Sequence, residues 1–82
     1  MKFEQGELYK HKDNTDVAFY VKGISGGFDN IFLRGVWVNI VNPSNYFMLT
    51  TETERITVKL NEQDNWEKIH VTGTIKKENG VG

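Results

Sequence analysis

The stretch Ile31–Val41, IFLRGVWVNIV, constrains this chain more than any other. It is the longest apolar run, dominated by β-branched and aromatic side chains that suit a pleated, packed surface. At about 3.3 Å per residue it can cross a small domain and bend partway. Gly35 is the expected bend: Ile31 and Leu33 share a face before it, and Val36, Val38 and Ile40 form the apolar row after it. A one-residue bulge produces such a change of phase, and glycine tolerates its backbone angles. The run reads as one long, curled central strand.

Its flanks read as shorter strands. Gly6–Lys12 places Leu8 and Lys10 on one side and Tyr9 and His11 on the other, and Asp13-Asn14-Thr15-Asp16 forms a polar turn. In Asp16–Ile24, Val17, Phe19 and Val21 face one way, Ala18, Tyr20 and Lys22 the other. The Ser25–Asn30 loop then joins this strand to the central one as an antiparallel hairpin, with Phe28 in its middle, expected first to fold back as a lid on the core and otherwise to stand exposed to a partner. Its two glycines precede a strand and not a helix, so they do not match a phosphate-binding loop.

Beyond the central run, Pro43 belongs at a corner, and Tyr46–Leu49 reads as an irregular apolar connection. Thr51–Glu54 has the form of a capping box, but no helical apolar period follows it. Ile56, Val58 and Leu60 instead alternate inward against Arg55, Thr57 and Lys59 outward, the clearest period-two signal present. Within Asn61–Lys68, Asp64 is placed to cap one helical turn that carries Trp66 as a plug. A last strand runs from Ile69 to Lys76.

Eighty-two residues make one domain, expected over residues 1–76, with 77–82 as a flexible tail. The absence of cysteine removes disulfides and cysteine-based zinc sites and suits a reducing cytoplasm. No leader-like or membrane-spanning apolar run is present, so no membrane partner is expected. Ten Lys plus Arg against eleven Asp plus Glu lack the positive excess of a dedicated nucleic-acid module.

The expected fold class is all-β: a small antiparallel barrel of about five strands with a one-turn helix before the last strand. That order resembles SH3-like barrels. An OB-fold is the rival, but Pro43–Glu54 lacks the helix it inserts. More narrowly, GELYKHKDNTDVAF, VWVNIVNP and ITVKLNEQDNWEKI resemble a group of small tailed-bacteriophage proteins with an SH3-like barrel. The likeness spans most of residues 5–69, and its motifs are structural: the strand with Tyr9 and His11, the turn, and Asn65-Trp66. It implies an accessory protein expressed in the cytoplasm of an infected bacterium, and it carries no defined active site.

Catalytic chemistry finds no support in the residues. His11 and His70 are the only histidines, and Ser25 and Ser44 the only serines, both in turn clusters. Two histidines among scattered carboxylates form no metal signature, and Glu52 with Glu54 lack a cleft to separate their roles. No enzyme, cofactor or metal is expected. The expected function is a protein-interaction module, using Tyr9, Tyr20, Phe28 and Trp37 toward a host or phage protein, with homodimerisation through an edge strand as a variant. The alternative is weak nucleic-acid binding, with Lys10, Lys12, Lys22 and Arg34 meeting phosphates beside Tyr9, Tyr20 and Trp37 on a common face.

Overall fold

The alternating apolar residues become strands in a computed structural model that describes residues 2–70 and 74–76. Those residues hold β1 (Leu8–His11), β2 (Val17–Gly26), β3 (Asn30–Asn39), β4 (Asn45–Met48), β5 (Glu54–Lys59), β6 (Trp66–Ile69) and β7 (Thr74–Lys76). A 3-10 helix, Leu60–Asn65, links β5 to β6. No helix among them is long and apolar enough to cross a membrane. The strands form one sheet in the order β6-β1-β2-β3-β4-β7, with β5 also on β3. Every pairing is antiparallel except β4 with β7.

The architecture is all-β and mostly antiparallel, as the alternation requires, with a short helix before the closing segment. It differs from the expected five-stranded barrel in that the sheet stays open, with β6 and β7 at the two ends of its path. Tyr46–Leu49 is not an irregular connection: β4 pairs with β3 through Val38 opposite Met48 and Asn39 opposite Phe47. The expected last strand is divided into β6 and β7, with Val71–Gly73 between them outside the described residues, as is the expected tail 77–82. The 3-10 helix has no side-chain N-cap, so Asp64 does not start it, and Trp66 opens β6 instead of riding on the helix.

The bend at Gly35 is also relocated. β3 keeps its period throughout, and the register shift lies on β2 between Val21 and Gly23, across from Gly35 and Arg34. Lys22 is the extra residue, so Ile24 falls on the same side as Phe19 and Val21. What changes along β3 is which face is covered. One apolar cluster gathers Phe3, Tyr9, Phe19, Val21, Ile31, Leu33 and Val58, with Trp37 packed against it. A second, on the other face, gathers Leu8, Ala18, Val36, Val38 and Tyr46. Ile31, Leu33 and Trp37 serve the first cluster, while Val36 and Val38 serve the second and the even residues before Gly35, among them the exposed Arg34, do not. The apparent change of phase is therefore a change in which face of one regular strand is covered.

Gly35 is required by contact and not by a bend. A Cβ there would lie 1.8 Å from the Tyr20 carbonyl oxygen and 3.1 Å from the Phe19 ring. At the same point β3 exchanges one neighbour for another: residues 30–35 pair with β5, and Val38 and Asn39 with β4.

Candidate binding surface

The β2–β3 hairpin is the longest element and carries the most exposed aromatic side chain. Its tip, Gly27–Asp29, is closed by the Gly27 N–H donating to the Asn30 carbonyl at 2.9 Å. Phe28 does not fold back on the core as a lid: it projects from that tip with 97% of its surface exposed, and the short closed turn holds it away from both clusters. Beside it the Leu60 N–H donates to the Asp29 carbonyl at 2.9 Å, which fastens the start of the 3-10 helix to the hairpin. Leu60, expected to point inward, is 41% exposed because it has left the strand and begun the helix. A shallow hollow lined by Asp29, Asn30, Lys59, Leu60 and Asn61 lies at this end of the molecule.

The other proposed aromatic contacts are placed differently. Tyr9 is fully buried in the first cluster, edge-on to Phe3 at 4.8 Å between ring centroids. Its hydroxyl accepts from the Glu4 N–H at 2.8 Å and donates to the Lys2 carbonyl at 3.3 Å. Burial raises its pKa above the usual tyrosine value, the Glu4 hydrogen bond opposing only part of that. Tyr9 therefore presents no surface to a partner. Trp37 is half-buried, edge-on to Phe19 at 4.9 Å, and packs against the first cluster. Tyr20 is half-buried over the second cluster, on the face opposite to Tyr9 and Trp37. The three rings thus do not share a face, and no common stacking platform forms from them.

The cations divide as well. Lys10 is paired with Glu67 at 3.2 Å, and Lys12 lies beyond β1 in the turn. Lys22 and Arg34 sit toward the other end of β2 and β3, at the bulge and opposite Gly23 respectively. There they join two residues that the sequence reading placed outward without assigning a role. Register sets Arg34 directly across from Arg55, Phe32 across from Thr57, and Asn30 across from Lys59. The Arg55 guanidinium stands 5.4 Å from the centroid of the Phe32 ring. Arg34, Arg55, Lys59 and Lys22 are all exposed, and none makes an ion pair among the described residues. The outer positions of this half-sheet, Gly23, Ser25, Asn30, Phe32, Arg34, Arg55, Thr57 and Lys59, include no carboxylate.

Acidic residues pair elsewhere. Lys68 bridges Glu4 at 3.1 Å and Glu7 at 3.8 Å, and the Glu4 hydrogen bond raises its pKa. His11 lies 3.6 Å from Asp13 and stacks edge-on to Trp66 at 5.4 Å, at the end of β1 remote from the hairpin tip. Ser25 sits on β2 opposite Phe32, and Ser44 in the turn before β4. The sites of His11 and Ser25 are therefore at opposite ends of the sheet.

No protein-family model matches this chain, and neither does any curated protein or solved structure.

Proposed function

We propose that the chain is a small non-enzymatic binding module that engages a partner protein through the end of the β2–β3 hairpin, with Phe28 as the principal contact. The observation that carries this reading is the exposure of the Phe28 ring at a hydrogen-bonded tip. Burying such a ring is worth roughly 1.5–3 kcal/mol, a gain that this fold leaves unused and a partner can take. Leu60 extends the apolar contact, and the shallow hollow beside it gives a partner side chain a place to rest. Aromatic anchors of this kind account for much of the energy of protein interfaces. The resemblance of the three sequence stretches to small tailed-phage proteins supports an accessory role in the cytoplasm of an infected bacterium, with a host or phage protein as partner.

The test is capture from bacterial lysate with a tagged chain, treated with nuclease and compared with Phe28→Ala. The expected result is a discrete protein that survives nuclease and is recovered at least about tenfold less well by the variant. Capture that disappears with nuclease, or that Phe28→Ala leaves unchanged, would overturn the reading.

A further inference from the structure

We propose that the outer face of β2–β3–β5 and the unpaired edge of β5 receive an extended acidic segment of the partner protein, added as a further strand beside β5. This rests on the reading above that the hairpin end of the molecule is its contact surface.

Three observations on the half-sheet carry the inference. First, register sets Arg34 opposite Arg55, with the Arg34 guanidinium turned over Gly23 and the Arg55 guanidinium over Phe32, so two cations share this face with no carboxylate partner among the described residues. Lys59 continues the row two positions beyond Thr57, and no carboxylate occupies the face. Second, β5 pairs with β3 on one side and with no strand on the other among the described residues. Its outward main-chain groups can therefore take a new strand by ordinary ladder hydrogen bonds. Third, the period of two fixes what that strand must look like. Alternate side chains would fall beside Arg55, Thr57 and Lys59, where carboxylates meet guanidinium and ammonium groups, and the intervening ones beside Ile56 and Val58, where apolar residues fit.

Other occupants fit less well. A second copy joined edge to edge through β5 would bring its own Arg55 and Lys59 against the same charges, which is how edge strands discourage self-pairing. Single-stranded nucleic acid binds by stacking bases on several open rings in a row, whereas the strands of this face carry only Phe32, which Arg55 covers, with Phe28 beyond them at the tip.

The experiment is fluorescence anisotropy of a labelled short peptide alternating Glu and Val, titrated with the full chain. Parallel probes are a Lys/Val peptide, the Glu/Val peptide with alternate amides N-methylated, and oligothymidine. The expected result is binding of the Glu/Val peptide alone, weakened about tenfold by the double variant Arg55→Gln/Lys59→Gln and further by added salt. N-methylation should abolish binding, a readout on the peptide that does not depend on how a variant folds. No binding, equal binding of the Lys/Val or N-methylated peptide, preference for oligothymidine, or indifference to the double variant would each overturn the proposal. If peptide binding fails while Phe28-dependent capture persists, the acidic strand is wrong and the binding module stands. If both fail, both are wrong.

Discussion

Tyr9 shows how one side chain can be a candidate contact by type and a structural residue by place. Its ring fills the first cluster, and its hydroxyl ties the N-terminal segment down through Glu4 and Lys2. Because its pKa is raised in the folded chain, the folded state holds the phenolic proton more tightly than the unfolded state does. The resulting stabilisation is complete below the unfolded value of 10.0 and is lost as pH rises through the folded value. Tyr9→Phe should cost about 1 kcal/mol at neutral pH, through the lost hydrogen bonds. It should also decline less steeply than the parent above pH 10, as chemical denaturation at a series of alkaline pH values will report. Lys68, raised first by Glu4 and in smaller part by Tyr9, loses its contribution in a neighbouring window, so the difference between the two proteins reports Tyr9 together with its coupling to Lys68. The same rule of place separates Trp37, packed on Phe19, from Phe28, which nothing covers.

At the scale of elements, the close approach of β2 and β3 organises the sheet. The Tyr20 carbonyl occupies the space where any side chain at residue 35 would begin, and Lys22 bulges out of β2 just beyond. The bulge tightens the local twist, so that β3 presents one edge to β5 and, a few residues on, the same edge to β4. Gly35→Ala cannot be absorbed by a rotamer change, since the obstacle is main chain. It should destabilise the fold by about 3 kcal/mol or more, measured by urea denaturation. Gly23→Ala is the control: the nearest atom to a Cβ there is the flexible tip of Arg34, at 2.6 Å, so a much smaller loss is expected. Gly35 was legible as a special position in the sequence, but its partner on β2 was not, because a register shift belongs to a pair of strands.

Across the whole molecule, the N-terminal segment closes the first cluster from outside the sheet. Phe3 is buried against Tyr9 and Trp66, Lys2 Nζ donates to the Trp66 carbonyl, and Glu4 reaches Lys68 on β6. A chain of this size has little stability to spare, so a single anchor matters. Phe3→Ala should cost about 3 kcal/mol and lower the thermal midpoint by roughly 15 °C, read by circular dichroism. The sequence by itself determined the β class, the strands around Phe19, Val36 and Val58, the polar turn at Asn14, and the outward row of Arg55, Thr57 and Lys59, because a period of two is a local property of the chain. Only the tertiary structure decided that the covered face of β3 changes at Gly35, that Tyr9 and Trp37 pack in the first cluster, and that Arg34 falls opposite Arg55 in register. Alternation says which residues share a side; strand pairings between distant residues decide what lies on it.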